Sequence, residues 1–142
     1  MSEMLEKARK YEFTQGQQIK AEDRPAFHIT PYVGWMNDPN GLVFEDGIYH
    51  LFYQHNAFGT KWDNMSWGHA VSKDLLHWEH RSMAILPDED GTIFSGSGIC
   101  NEKGLLGLPK DALVFFYTSA GGSSDSPWSE GGQFTQRIAY ST

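Results

Sequence analysis

A single cysteine, Cys100, stands in the 142 residues, so no disulfide can form within the chain. It is expected as a small apolar strand residue, with a reactive thiol as the alternative. Basic residues are scarce too: 11 Lys and Arg against 18 Asp and Glu leave a net charge of −7. No basic patch offsets phosphate repulsion, so nucleic acid is not an expected partner. Long apolar runs are missing. No stretch is long enough to span a membrane, and the N-terminus has no apolar run of signal-peptide length. No membrane partner is expected, and the location is expected to be cytoplasmic, or secreted if the true start lies upstream. His50, His55, His69, His77 and His80 include no H-x-x-x-H pair on a helix, which argues against a metal site. No glycine-rich phosphate loop follows a strand and opens a helix, so no nucleotide cofactor is implied. Ser95 and Ser97 lack the nucleophile-elbow pattern of serine hydrolases.

What is present points to a folded β-rich domain. Hydrophobic residues make up 39% and charged residues 20%, the balance of a globular chain. Aromatics reach 14% and there are 15 glycines, a pairing that suits strands joined by tight turns and aromatic-lined polar pockets.

Along the chain, residues 2–13 predict a short amphipathic helix. Glu3 to Lys7 and Glu6 to Lys10 are i,i+4 pairs of favourable polarity, and Met4, Leu5, Ala8 and Tyr11 form an apolar stripe for packing. Residues 14–31 predict an extended lead-in ending at Pro31, and residues 32–142 the β domain. Leu42 to Glu45 predicts a strand, Asp46-Gly47 a hairpin turn, and Ile48 to His55 its partner. In that partner Tyr49, Leu51 and Tyr53 point one way, and His50, Phe52 and Gln54 the other. Further strands are expected over 66–72, within 75–86 with Trp78 buried, and over 94–100, 112–119 and 136–141. Residues 113–119 echo 49–55, and 138–142 echo 69–73. The offset of roughly 65 residues is that of one propeller blade with long loops. About two blades would leave an open edge, so the chain is expected to be the N-terminal part of a larger protein. A sandwich of seven or eight strands is the alternative. Trp128, in a Gly/Ser-rich stretch, is either a loop anchor or a sugar contact.

The organising stretch is Gly34 to Gly41. Asp38-Pro39-Asn40-Gly41 has the composition of a tight turn, with Asp38 held rigid by the proline that follows it. Such a turn can be a plain hairpin connection. With Trp35, Met36 and Asn37 just before it, it can also be the floor of a sugar site. The ring would stack on a sugar face, the amide bond hydroxyls, and the acid do chemistry.

Trp35-Met36-Asn37-Asp38-Pro39-Asn40-Gly41 resembles the signature of glycoside hydrolase family 32, the invertases, sucrose-6-phosphate hydrolases, levanases and inulinases. Tyr49 to His55, Trp67 to Trp78 and Phe94-Ser95-Gly96-Ser97 are similar to further blocks of that family. The resemblance implies an all-β fold, the N-terminal portion of a five-bladed β-propeller, with the site in an axial pocket. It implies Asp38 as nucleophile, and Asn37, Gln54, Trp62, Phe94 and Ser95 around the fructosyl ring, with Trp35 and Met36 beside them. The implied partner is a carbohydrate: sucrose, sucrose-6-phosphate or a fructan. No cofactor is implied. Retaining glycoside cleavage needs two carboxyl groups about 5–5.5 Å apart. The family's acid/base Glu and its Arg-Asp-Pro motif come later than the blocks present here. Glu79, Glu89 and Asp90 sit in polar, turn-like settings and are expected to be solvated. The chain alone is therefore expected to be inactive, within a hydrolase that releases terminal β-D-fructofuranosyl groups. A fructosyltransferase, a non-catalytic sugar-binding module and an inactive relic are the rivals. Residues 115–120 look like the levanase and inulinase branch, and the missing leader like the intracellular sucrose branch.

Overall fold

The computed structural model describes residues 3–121 and 132–142. Trp128 lies outside them. The chain opens with helix α1 (Glu3–Gly16). Among the described residues seven strands follow: β1 (Trp35–Glu45), β2 (Ile48–Asn56), β3 (Ser66–Ser72), β4 (Trp78–Ile85), β5 (Thr92–Cys100), β6 (Leu113–Ala120) and β7 (Phe134–Ser141). They form two antiparallel meanders, β1-β2-β3-β4 and β5-β6-β7. The echoing segments hold equivalent places, since β2 and β6 are the second strands of their sheets and β3 and β7 the third.

The sequence expectation of a tight turn at Asp38 to Gly41 is corrected. These residues lie inside β1, an 11-residue strand. The pairing of β1 with β2 shifts register between Met36 and Pro39 and again between Asn40 and Val43. The residues that look like a turn are accommodated as irregularities in the ladder, which bend a strand and re-aim its side chains. Gly41 has φ +49°, and a Cβ there would press on Phe115 and Trp67 at 3.1 and 3.2 Å. Both conditions favour glycine. The Asn40 amide donates back to the Asp38 carbonyl at 3.2 Å, so the side chain supplies a turn-like bond without reversing the chain.

Two smaller corrections follow. The helix runs on to Gly16, and the lead-in contains a short 3-10 turn at Ala21–Asp23. Trp78 is half-buried, not buried, because it starts β4, which pairs only with β3 at the edge of its sheet. Its indole N–H donates to the Leu75 carbonyl at 3.2 Å.

The core lies between the sheets. Val43, Phe52 and Trp67 from the first meet Ile93, Leu113, Phe115 and Tyr117 from the second. Phe52 and Phe115 meet edge to face at 4.5 Å, and Trp67 meets Phe115 edge-on at 6.0 Å. Such aromatic geometry adds to the burial of large apolar surfaces. β2 is buried on both faces from Leu51 to Asn56, so its alternation does not sort core from solvent. One face carries Phe52 into the sheet interface. On the other, Tyr53 and His55 lie under the N-terminal segment, where Ala8 of α1 clusters with Ala57 and Met83.

The first strands of the two sheets run alongside each other. Ser95 meets Asp38, the Gly96 N–H donates to Asn40 Oδ1 at 3.2 Å, and the Cys100 thiol donates to Glu45 at 3.4 Å. The contacts advance together along both strands, so β1 and β5 are parallel. This is the relation of inner strands in neighbouring propeller blades.

Candidate active site

Asp38 stands exposed near the start of β1. Its Oδ2 accepts a hydrogen bond from Ser95 Oγ at 3.0 Å. Ser95 can reach it because β5 also shifts register, between Ile93 and Gly96. That irregularity turns consecutive side chains toward the inner face, where strict alternation would send one away. The carbonyl of Phe94 is anchored by Trp67 Nε1 at 3.1 Å.

Beside the acid, Trp35 Nε1 donates to Asn37 Oδ1 at 2.8 Å. This bond locks the amide and the indole together, and leaves the Asn37 NH2 group for other partners. Met36 is half-buried and pairs across with His55. Trp62 is 45% exposed and meets Phe94 edge-on at 6.1 Å. Gln54 is 2% exposed and lies beneath this surface. Among the described residues its Nε2 has no hydrogen-bond partner.

The structure thus joins Asp38 to Ser95, Trp35 to Asn37, and Trp62 to Phe94. It sets Gln54 deeper than the others. Two residues near the site went unread in the sequence. Asn40 ties β1 to β5, and its place in an apparent turn concealed that. Phe134 meets Phe94 edge-on at 5.7 Å and is 59% exposed, extending the aromatic row to three rings. A lone aromatic opening a strand after a Gly/Ser-rich stretch was the only signal for it.

The three further acids weighed in the sequence are engaged elsewhere or stand in solvent. Glu79 lies 3.5 Å from Arg81, Asp90 lies 2.8 Å from Arg137, and Glu89 is exposed. Among the described residues no three His, Cys, Asp or Glu side chains gather to hold a metal ion. An exposed carboxylate gripped by a hydroxyl, flanked by an amide and walled by flat rings, suits a neutral polyhydroxylated ligand.

Two antiparallel meanders with parallel first strands are arranged as neighbouring blades of a β-propeller. Residues 28–142 match the model of the glycosyl hydrolases family 32 N-terminal domain, and the chain belongs to that family. It is 47% identical over 121 residues to a levanase of Bacillus subtilis, covering 83% of this chain and 16% of the levanase. It is 51% identical over 94 residues to a sucrose-6-phosphate hydrolase of Zymomonas mobilis, covering 63% of this chain and 18% of that one. Among solved structures, a β-fructofuranosidase of Bombyx mori superposes with a TM-score of 0.76 at 35% identity, over 97% of this chain and 27% of that one. An exo-inulinase of Aspergillus awamori gives 0.71 at 42% identity, over 83% and 25%. The chain therefore spans between about a sixth and about a quarter of the length of these relatives.

Proposed function

We propose that this chain carries the nucleophile and the floor of the fructosyl pocket of a retaining β-fructofuranosidase. The observation that carries the reading is the Asp38 carboxylate, held across two blades by Ser95, which follows Phe94 of the aromatic row. The names of the relatives support the substrate class, since levanase, exo-inulinase and sucrose-6-phosphate hydrolase all act at fructosyl groups.

In this reading an Asp38 oxygen lone pair forms a bond to the anomeric carbon of the fructosyl unit. The bond to the leaving oxygen breaks, and that oxygen takes a proton from a general acid. Water, deprotonated by the same group, then attacks the anomeric carbon and releases Asp38. Ser95 orients the carboxylate through its hydrogen bond to Oδ2. Asn37 bonds sugar hydroxyls with its free NH2 group, and Trp35, Trp62 and Phe94 give the apolar walls.

The second carboxyl group does not come from the described residues, whose candidate acids are engaged elsewhere or solvated. The chain alone is accordingly proposed to bind sugar without turning it over. Two assays test this. Isothermal titration with fructose and with levan oligosaccharides should show binding. Incubation with sucrose should release no fructose. Fructose release that disappears in Asp38→Asn would overturn the proposed inactivity, and absence of any binding would overturn the pocket itself.

A further inference from the structure

The N-terminal helix is tied to the first site strand by a buried carboxylate. Glu12 is 3% exposed, and acidic residues are rarely buried unless paired. Both its oxygens are used. Oε1 lies 3.0 Å from His55 Nε2, and Oε2 accepts the Met83 backbone N–H at 3.1 Å. His55 is fully buried, and its Nδ1 donates to the Trp35 carbonyl at 2.9 Å. Ser66 Oγ donates to the His55 carbonyl at 2.7 Å, and Tyr53 packs edge-on against the imidazole at 5.5 Å. Burial, and after it the Glu12 charge, pushes the Tyr53 hydroxyl up, so Tyr53 stays neutral beside the pair. From Trp35 the chain of bonds continues through the indole to Asn37, the residue before Asp38.

A carboxylate that only pinned the helix would need only its bond to Met83, on β4. Packing of Ala8 against Ala57 and Met83 already holds α1 there. The bond to His55 does something more specific. A carbonyl can only accept, so Nδ1 must carry the proton. With oxygens on both sides, the ring cannot flip without turning carbons toward both partners. The imidazole is thus a fixed strut under the Trp35 carbonyl. Support of this kind, through an oriented histidine, is what holds functional groups in place from behind.

We propose that Glu12 is a positioning residue of the site: through His55 it fixes the Trp35 carbonyl, and with it the indole and the Asn37 amide beside Asp38. The consequence for sugar binding rests on the function proposed above. The positioning itself does not, and is measured without sugar.

The test uses the 15N-labelled chain and its indole N–H signals. Trp35 is identified by loss of its signal in Trp35→Phe. Trp67 and Trp78, bonded to Phe94 and Leu75, serve as controls for folding. In Glu12→Ala and Glu12→Asp the Trp35 signal should shift or broaden while the controls hold. The Asp variant keeps the charge but is one methylene short, and it carries the test if the Ala variant does not fold. Glu12→Gln should restore the wild-type Trp35 signal. Its Oε1 can accept from Met83, and its amide can donate to His55 Nε2, leaving the Nδ1 bond intact.

An unmoved Trp35 signal in a folded Ala or Asp variant overturns the proposal. So does a folded Gln variant whose Trp35 signal departs from wild type, which decides the matter alone if the other two do not fold. Titration with levan oligosaccharides is the separate arm. Glu12→Ala should weaken binding by about tenfold and Glu12→Gln restore it. No binding by the wild type would sink the functional reading and leave the Trp35 result standing.

Discussion

Ser95 donates its hydroxyl proton to Asp38 Oδ2 at 3.0 Å across the gap between the two sheets. The acid and its partner are 57 residues apart, on parallel strands that do not pair. Neither sheet alone can hold the carboxylate in this orientation. The site is therefore a product of how the sheets dock, and the shared core of Phe52, Trp67 and Phe115 is what sets it.

Ser95→Ala follows directly. The bond is exposed, and such a hydrogen bond is worth about 0.5–1.5 kcal/mol at most to the fold. Calorimetry should show a thermal midpoint close to wild type. Sugar affinity should fall severalfold, because Asp38 loses its hydrogen bond to β5. Equal affinity in the two proteins would show that Asp38 is oriented by β1 alone.

Gly96→Ala should have the opposite balance. A Cβ at residue 96 would collide with the Phe116 carbonyl oxygen and press on Tyr117 Cα at 2.9 Å. Backbone cannot rotate away as a side chain can. The loss should exceed the ~1–3 kcal/mol of ordinary overpacking. The shift would also pull the Gly96 N–H from Asn40, so β1 and β5 separate. Urea unfolding measures the first effect. A midpoint unchanged from wild type would mean the strands are not packed as described.

Acid should weaken the fold through His69. Burial, and after it His50, holds His69 down to about 3 from an ordinary 6.5. His50 is lowered in the same direction, chiefly by burial. The folded protein refuses protons that the unfolded chain accepts. Stability therefore falls as pH drops from the unfolded value of 6.5 toward the folded one near 3. His69→Phe cannot titrate and keeps the stack on Phe52, now at 4.4 Å. Between about pH 7 and pH 4 the variant should lose less stability than wild type, by on the order of 2 kcal/mol. Parallel curves in urea titrations at the two pH values would remove His69 from the account.

Much of this architecture was legible in the sequence because it depends on local patterning. Strands β2, β3, β5, β6 and β7 announce themselves by apolar runs between turn residues, and the echo of 49–55 in 113–119 marks the two blades. The site strand was harder. Asp38-Pro39-Asn40-Gly41 has every local feature of a turn, and only pairing with β2 and docking on β5 make it strand. Tertiary contacts override propensity there. The chemistry came from the resemblance of seven consecutive residues, not from periodicity. Glu12 could have been noticed, since it falls four residues after Ala8 on the packing face of the helix. Its partner His55 lies 43 residues away, and no spacing rule links them. Phe134 meets Phe94 only through the β6–β7 pairing, so its place in the row is a property of the fold.

The aromatic row yields the last prediction. Phe94 adjoins Ser95 and hence Asp38, while Trp62 and Phe134 flank it at 6.1 and 5.7 Å. Phe134 joins the row from β7 through Phe94, outside the inner wall of Trp35, Trp62 and Phe94, and is placed toward sugar units beyond the fructosyl group. Phe134 is 59% exposed, so the fold spends little on it. Phe134→Ala should leave the thermal midpoint nearly unchanged and free fructose binding intact. Affinity for a levan oligosaccharide should drop by about tenfold, equivalent to ~1.4 kcal/mol. Phe134→Trp should restore it, because a larger flat ring keeps the wall. The ratio of oligosaccharide to fructose affinity, measured by calorimetric titration, is the deciding quantity. If that ratio is the same in wild type and Phe134→Ala, the row ends at Phe94. If fructose binding falls equally, Phe134 belongs to the inner pocket and the order of rings along the sugar chain must be reversed.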